Sequence, residues 1–313
     1  MLKEALDTKA VKDFLYAGVF SVKKNQTAKD GRTFHVLEIS DSEQKAKLYV
    51  WSDSCEITAK SFIKFTGEVV PGQQPFFSCK GTEVKTIDFV DLPQECLTRK
   101  VLFSFNVDVK QLSETIVKFS KENIQHEGFK MLISSLAAEN FLSILKPFPA
   151  GKSAHHSLSG GLLKHIEEML EMYISLSKTK PFEDLRHEFV IIGVILHDYF
   201  KHKEYVETEE GFQVTENGAL LGHIYQGANF LQKLFTRHNE KNPSYFISVE
   251  DQQKAVHTLL AHHGQMDWGS PVVPAIPEAI ALHYIDQLSA KLNMFKYSSH
   301  MEYNRFLGTS VIK

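Results

Sequence analysis

The sequence predicts a protein of two parts, a small all-β barrel of the oligonucleotide/oligosaccharide-binding (OB) type followed by an all-α helical bundle. Residues 11–92 are short apolar runs separated by turn signals, whereas apolar residues from about residue 110 onward recur at helical spacing. The histidines divide in the same way, because only His35 of the 15 precedes residue 126. A length of 313 residues suits two domains. We therefore expect the chemistry in the helical half.

The β part is predicted as residues 1–95. Its candidate strands are "FLYAGVFSVKK", "FHVLEIS", "KAKLYVW", "SFIKFTGEVV", "PFFSCKG" and "VKTIDFV". Asp30-Gly31 and Pro71-Gly72 are turn signals between them. These six runs predict about five short strands with a longer connector after the third, which is typical of an OB-type barrel, and an SH3-like barrel is the alternative.

The third strand predicts a face for single-stranded nucleic acid. Alternation along "KAKLYVW" puts the cations and rings on one side and the small apolar residues on the other. Cations suit a phosphate backbone and rings suit bases. The alternative is a solvated strand face whose aromatic residues pack on the helical domain. The candidate binding residues are Lys45, Lys47, Tyr49 and Trp51.

A change of composition near Pro93 marks the end of the β part. Residues 96–150 are predicted as a helical linker region, and residues 151–313 as a second domain with a C-terminal tail. The net charge of −3 argues against a purely nucleic-acid-binding module. The cysteines Cys55, Cys79 and Cys96 show no C-x-x-C spacing, which predicts no disulfide framework and a cytoplasmic protein. Neither a signal peptide nor a membrane segment is recognisable, so no membrane partner is expected.

Histidines and aspartates next to apolar runs in the helical half predict a metal site. Their order is H…HD…H…HH…D, and a site in a bundle core is built from side chains on facing helices. Imidazole and carboxylate together suit Mn, Fe, Zn or Ni. A single histidine on an apolar helix is more often a hydrogen-bonded core residue, but the whole set is hard to explain in that way. The candidate ligands are His165, His197, Asp198, His223, His262, His263 and Asp286.

This order resembles the HD superfamily of metal-dependent phosphohydrolases. The stretches "HHSLSGGLLKHIEEML", "VILHDYFKHKE" and "GALLGHIYQGANFL", with the run that begins "AHHGQMDWGSP", resemble the YhaM family in particular. That resemblance implies an OB domain before an HD domain and a 3′→5′ exoribonuclease. It also implies two divalent metals, manganese first and Fe, Co, Ni, Zn or Mg as alternatives.

The resemblance assigns roles to the ligands. One metal would be held by His165, His197 and Asp286, and the other by His223, His262 and His263. Asp198 would bridge the two. Lys201 would contact a phosphate oxygen, and Glu204 is either a metal-facing group or a surface carboxylate.

Several neighbouring residues keep two interpretations. His155 and His156, before Gly160-Gly161, would bind phosphate, protonate the leaving oxygen or only fix their loop. Trp268 would stack a terminal base or form a structural lid. Tyr199-Phe200 replaces the Ile-Gly pair that is common in the HD-superfamily motif, and Phe200 would narrow the pocket, offer a stacking surface or fill a different core.

The predicted reaction is hydrolysis of single-stranded RNA, and of single-stranded DNA as a further substrate, to nucleoside 5′-monophosphates. Two metals would lower the pKa of a bridging water and neutralise charge on the phosphoryl oxygens. One alternative is a phosphohydrolase acting on nucleotides or cyclic dinucleotides, and another is a non-catalytic nucleic-acid-binding protein. The apolar tail "FLGTSVIK" would pack on its own domain or, in a homo-oligomer, on a second copy.

Overall fold

The computed structural model describes residues 1–41, 44–72, 74–88, 105, 107–151, 156, 159–208, 211–297, 303–304 and 307–312. Contacts between backbone positions divide the chain into two compact units. The sheet unit comprises Met1–Phe103, Glu207–Gln213 and Asn293–Lys313, and the helical unit comprises Ser104–Val206 and Val214–Leu292. The predicted fold class, a small OB-like β domain before a helical bundle, is confirmed.

The sheet unit contains a short helix and a seven-stranded curled sheet that forms a half-barrel. The strand order is β5-β6-β3-β2-β1-β4-β7, and every pair is antiparallel except β3–β6. The elements are α1 (Leu2–Thr8), β1 (Leu15–Thr27), β2 (Thr33–Ser40), β3 (Lys45–Trp51), β4 (Phe62–Phe65), β5 (Glu68–Val70), β6 (Phe76–Lys80), a 3-10 turn (Gly81–Glu83) and β7 (Val84–Ile87).

The long strand β1 explains how the sheet curls. It pairs with β2 along most of its length and with β4 at its start, and its register with β2 shifts twice. Such bulges bend a strand and increase its twist. The predicted run "SFIKFTGEVV" is two strands, β4 and β5. They meet beside Gly67, where an added Cβ would come within 2.3 Å of the Ser78 carbonyl oxygen.

The helical unit has nine helices among its described residues. They are α2 (Val109–Asn123), α3 (Glu127–Leu136), α4 (Glu139–Ser143), α5 (Gly161–Leu176), α6 (His187–Leu196), α7 (Lys201–Glu204), α8 (Glu216–Lys241), α9 (Val249–Leu260) and α10 (Pro277–Tyr297). Short 3-10 turns are Lys180–Phe182, Pro243–Tyr245 and Met266–Trp268. No helix in the described part of the chain is both long and apolar enough to cross a membrane.

Helix α6 lies at the centre of this unit. All of its residues from Glu188 to Leu196 are buried, as expected for a helix that is apolar on every side. The apolar spacing of "GFKMLISSLAAENFLSILKPF" predicts one continuous helix that stops at Pro147, but the structure has two helices there, α3 and α4. A straight helix would turn Leu142 and Leu145 away from the side on which Leu136 is buried, whereas the break buries all three.

Two short hairpins lie in the half that was predicted to be all-helical. They are β8 (Tyr205–Thr208) with β9 (Gly211–Val214), and β10 (Tyr303–Asn304) with β11 (Thr309–Ser310). The first hairpin follows α7 directly. Its strand "YVET" contains Tyr, Val and Thr, which favour strands, and the search for helical spacing missed this signal.

Candidate functional site

The seven candidate ligands lie together in the helical unit. The ligand atoms of His165, His197 and Asp286 are all within 4.8 Å of one another. Those of His223, His262 and His263 form a second group within the same limit. The first group is fully buried, and His223 and His263 of the second are partly accessible. Each group is a set of three ligands that could hold a metal ion.

Asp198 lies between the two groups. Its Oδ1 is 3.2 Å from His223 Nε2 and 3.9 Å from His262 Nε2, while its Oδ2 is 3.5 Å from His197 Nε2. One carboxylate therefore faces histidines of both groups. Asp198 reaches this position because α6 ends at Leu196, and the turn that follows places His197 and Asp198 in the core.

The histidine rings have a common orientation. Nδ1 of His197 lies 3.2 Å from the Val194 carbonyl, Nδ1 of His262 lies 2.6 Å from that of Leu259, and Nδ1 of His263 lies 2.8 Å from that of Trp268. A carbonyl only accepts, so each Nδ1 carries the hydrogen. The Nε2 lone pairs therefore face the centre, which is the usual arrangement of metal-binding histidines.

His223 is oriented by a side chain. Its Nδ1 lies 2.7 Å from Glu204 Oε2, which also accepts the His223 backbone N–H at 3.1 Å. The backbone N–H is accessible because Gly222, with φ +63°, kinks α8 immediately before His223. Glu204 is thus neither metal-facing nor a surface carboxylate in this structure, but the acceptor that holds a candidate ligand.

Buried polar atoms support metal binding at this centre. Among the described residues, His197 Nε2, Asp198 Oδ1, His223 Nε2 and His262 Nε2 are buried and make no hydrogen bond with suitable geometry. Buried polar groups are normally satisfied, so a cation shared by these atoms accounts for them. Nitrogen and carboxylate donors fit a first-row divalent metal.

The charges at the centre favour the same conclusion. Burial opposes ionisation of Asp198, yet the Lys201 ammonium and nearby histidines hold the pKa of this carboxyl well below its usual range. Burial, with His263 and His197 nearby, lowers the pKa of His262 well below that of free histidine. An ionised carboxylate and a neutral imidazole are the protonation states that bind a metal.

Lys201 is buried, and its ammonium donates to Asp198 Oδ2 and to the Ala150 carbonyl, both at 2.5 Å. These contacts make it a support for Asp198, and its predicted contact with phosphate stays a prediction. His156 is also buried, and its Nε2 lies 3.0 Å from Glu168 Oε2. His155 lies outside the described residues, and its predicted role stays a prediction.

The residues that replace the usual Ile-Gly pair fill a core. Tyr199 stacks on Phe141 with ring centroids 4.1 Å apart, and its hydroxyl donates to the Phe141 carbonyl. Phe200 is buried, with its ring 5.4 Å from that of Phe230. Both rings are buried, so neither can stack on a substrate in this structure.

Trp268 lies on the loop that follows the paired histidines. Its side chain is 48% exposed, and its carbonyl is the partner of His263 Nδ1. The loop is therefore tied to a candidate ligand while the indole faces solvent. An exposed ring so close to the centre can stack a base, and it equally fits a lid.

The turn between His263 and this loop depends on Gly264. Its φ is +79°, and an added Cβ would lie 2.3 Å from the His283 ring, whose Nδ1 is held at 2.8 Å by the His262 carbonyl. His283 is one helical turn before Asp286, where the sequence slightly favours packing over the orienting of a ligand. Its ring forms a wall of the turn that carries two candidate ligands.

We predict that Gly264→Ala costs about 2–5 kcal/mol of unfolding free energy, from left-handed strain plus the clash. Gly269→Ala is the matched control, because Gly269 has φ +85° but its nearest new contact is 3.7 Å away. Its expected cost is about 1–2 kcal/mol. Urea unfolding of the two variants measures the difference, and equal losses would contradict the role of the His283 ring.

The sheet unit carries an aromatic surface on β2, β3 and β6. Phe34 stacks on Tyr49 at 5.6 Å and lies 5.2 Å from Trp51, and Tyr49 lies 4.4 Å from Phe76. Arg32 covers Trp51 at 4.5 Å.

Lys45 and Lys47 are exposed on the same face of β3, while Leu48 and Val50 are buried on the other, so the sequence alternation is as expected. Phe34 and Phe76 were not predicted, although β2 shows the same alternation.

Two further residues were missed in the helical unit. Ser289 Oγ contacts His165 Nδ1 and Glu168, each at 3.0 Å. Glu168 lies three positions after the candidate ligand His165, and Ser289 lies three positions after the candidate ligand Asp286. Both residues are therefore on the ligand faces of their helices. That spacing was the available signal.

Comparisons with known proteins agree with this geometry. Residues 155–291 match the family described as HD domain, and this range contains all seven candidate ligands. The chain is 27% identical over 275 residues to the 3′-5′ exoribonuclease YhaM of Bacillus subtilis (strain 168), covering 85% of this chain and 81% of that protein. It is 28% identical over 292 residues to the protein of the same name from Geobacillus sp. (strain WCH70), covering 90% of this chain and 82% of that protein.

The HD domain implies dependence on a divalent metal. The predicted resemblance is thus confirmed: residues 155–291 match the HD domain family, and the chain is similar to the YhaM proteins along most of its length.

Proposed function

We propose that this protein is a metal-dependent 3′→5′ exoribonuclease that releases nucleoside 5′-monophosphates from single-stranded RNA, with single-stranded DNA as a further substrate. The observation that carries the proposal is the convergence of the seven candidate ligands on one buried centre within the HD domain. The curated relatives support the reaction class, because they bear the name of that activity.

In this proposal His165, His197 and Asp286 would hold one divalent ion, and His223, His262 and His263 would hold the other, with Asp198 placed to contribute to both sets. Manganese is the first choice that the YhaM resemblance implies, and imidazoles with carboxylates also suit Fe, Zn or Ni. Bound divalent ions would lower the pKa of water and neutralise charge on the phosphodiester. In-line attack by water-derived hydroxide with departure of the 3′-oxygen yields the 5′-monophosphate.

The chain's own residues have supporting roles. Lys201 keeps Asp198 ionised and in place through its ammonium. The carbonyls and carboxylate on the Nδ1 atoms direct the imidazoles inward. Trp268 stacks the terminal base of the RNA. His155 and His156 are proposed as loop residues near the scissile phosphate, with His156 held by Glu168.

The aromatic surface of Phe34, Tyr49, Trp51 and Phe76, with Lys45 and Lys47, is proposed to bind the single strand. A basic and aromatic face suits RNA, whereas an enzyme for small nucleotides has no use for it. This observation favours RNA over nucleotides or cyclic dinucleotides.

We predict that Tyr49→Ala and Trp51→Ala each weaken RNA binding by about 1–3 kcal/mol, the usual contribution of one stacked base. Fluorescence anisotropy with labelled single-stranded RNA, in an Asp198→Ala background that prevents turnover, measures the change. Phe14→Ala is the control, because this ring is 53% exposed elsewhere on the same unit. Equal affinity of all three variants would contradict a nucleic-acid role for this surface.

One assay tests the reaction itself. The manganese-loaded protein is incubated with 5′-labelled single-stranded RNA and, separately, with nucleotides and cyclic dinucleotides. A ladder that shortens from the 3′ end is expected. Hydrolysis of only the small substrates refutes the proposal, and tight binding of RNA without hydrolysis indicates a non-catalytic protein.

Location and assembly belong to the proposal as well. A cytoplasmic location is supported by cysteines without a disulfide framework; Cys55 and Cys79 are free thiols, and Cys96 lies outside the described residues. A homo-oligomer in which the apolar tail packs on a second copy is the alternative to packing on its own unit. Size-exclusion chromatography with light scattering decides between them.

A further inference from the structure

A chain of hydrogen bonds leads from the candidate ligand His165 away from the centre. His165 Nδ1 lies 3.0 Å from Ser289 Oγ, and this hydroxyl donates to Glu168 Oε2 at 3.0 Å. The same Glu168 oxygen lies 3.0 Å from His156 Nε2. His165 and Ser289 are buried in the helical unit, and the Glu168 side chain is 30% exposed.

Ser289 differs from the partners of the other candidate histidines. Those partners are carbonyls or a carboxylate, which only accept, whereas a hydroxyl can donate or accept. A serine alone could therefore either donate to His165 Nδ1 or accept from it. Glu168 favours acceptance, because its carboxylate takes the Ser289 hydrogen and leaves Oγ to accept from an Nδ1–H.

We propose that Glu168 is a positioning residue which, through Ser289, accepts the Nδ1 hydrogen of His165 when the metal centre is occupied and so directs the Nε2 lone pair of His165 toward the cation. This inference rests on the metal binding in the proposed function. His165 Nε2 lies 3.0 Å from Asp286 Oδ1, and a carboxylate only accepts, so without a cation Nε2 carries a hydrogen toward Asp286. A cation shared by these two atoms would take the place of that hydrogen, and the neutral imidazole would then carry its hydrogen on Nδ1, where Ser289 accepts it.

The two helices contribute in the same way. His165 and Glu168 are one turn apart on α5, and Asp286 and Ser289 are one turn apart on α10. Each helix thus supplies one ligand and one supporting residue. The hydrogen bonds from His165 through Ser289 to Glu168 form a relay that crosses from α5 to α10 and back. A small shift between the two helices would therefore break this relay at Ser289.

Glu168 also holds the loop before α5. His156 has φ +42°, a left-handed conformation that residues other than glycine rarely adopt, so its contacts must hold it there. Its carbonyl accepts from the Ala150 N–H at 3.1 Å, and an added Cβ on Gly161 would lie 1.9 Å from that oxygen. The carboxylate of Glu168 fixes the ring while these contacts fix the backbone. One side chain therefore joins the loop histidine to the candidate ligand.

The test compares four variants of the full-length protein. Glu168→Met removes the acceptor, Ser289→Ala removes the hydroxyl, and Glu168→Gln keeps a neutral acceptor. Glu167→Met is the matched control, because this neighbour on α5 pairs with Lys164 and not with the relay. The first readout is Mn²⁺ affinity, measured by competition with a chelator in the absence of RNA.

We expect Glu168→Met and Ser289→Ala each to weaken Mn²⁺ binding by about 10- to 100-fold, the usual effect of losing such a partner. Glu168→Gln should recover most of the affinity, and Glu167→Met should match the wild type. Equal affinity of Glu168→Met and Glu167→Met overturns the proposal.

The second readout is the ring ¹H–¹⁵N spectrum of the protein loaded with diamagnetic Zn²⁺, with the His165 signals assigned by their loss in His165→Gln. With Nε2 on the metal, the hydrogen of the neutral ring is on Nδ1, and we expect its proton resonance far downfield in the wild type and in Glu167→Met, because Ser289 and Glu168 accept it. In Glu168→Met this resonance should move upfield and exchange faster with water. A His165 Nδ1–H signal that is the same in Glu168→Met and in Glu167→Met overturns the proposal.

Neither readout depends on RNA hydrolysis. A protein that binds Mn²⁺ and shows the expected spectra but degrades no RNA refutes the exoribonuclease and leaves the relay standing. A wild type that binds no Mn²⁺ refutes the metal proposal, and with it the role given to Glu168.

Discussion

Asp198→Ala is expected to lower the hydrolysis of single-stranded RNA by at least about a thousandfold in kcat/KM, which corresponds to about 4 kcal/mol of transition-state stabilisation. The reason is the position of this carboxylate, whose two oxygens face histidines of both ligand groups. No other described carboxylate has that position. Its loss would remove a ligand from both groups at once.

The measurement is a time course with 5′-labelled RNA, together with the manganese content of the purified variant. We expect reduced metal content and a fold that is retained by circular dichroism. Asp184→Ala is the control, because it removes an exposed carboxylate of the same unit. Full activity in Asp198→Ala would remove this residue from the proposed bridging role.

Lys201→Met is expected to destabilise the metal-free protein by about 3–5 kcal/mol. Asp198 and Lys201 form a buried ion pair, and removing one partner leaves the other charge uncompensated in the interior. The hydrogen bond from Lys201 to the Ala150 carbonyl is lost in the same variant. Manganese should restore much of the stability, because its charge replaces that of the ammonium next to Asp198.

Urea unfolding with and without Mn²⁺ measures both effects. The matched control is Lys203→Met, which removes an exposed lysine from the same short helix. If Lys201→Met and Lys203→Met are equally stable without metal, the ion pair does not stabilise the fold. If Mn²⁺ does not stabilise Lys201→Met more than Lys203→Met, the metal does not replace the Lys201 ammonium charge next to Asp198.

The candidate ligands could be found from the sequence because each lies beside an apolar run that becomes a helix with a buried side. His197 and Asp198 follow the wholly buried α6, so their place near the core follows from the hydrophobic pattern alone. The aromatic face of β3 was predictable for a similar reason, since a strand has a strict period of two.

The residues that support the ligands were harder to predict. Three of the Nδ1 partners are backbone carbonyls, which carry no sequence signal. Ser289 and Glu168 are 121 positions apart, and their contact exists only once α5 and α10 have packed. Likewise Gly67 divides one predicted strand into two because of its close approach to β6, a long-range contact.

The sheet unit is assembled from three separate stretches of the chain. Most of it lies within residues 1–103, but it also includes residues 207–213 and 293–313, which are translated later. Lys60 pairs with Glu207 at 2.5 Å, and the Gln74 amide donates to the Tyr303 carbonyl at 3.2 Å. During synthesis, therefore, the unit that leaves the ribosome first is completed last, after the whole helical unit has been made. A nascent chain halted before residue 293 would carry every candidate ligand on a protein whose first domain is still unfinished.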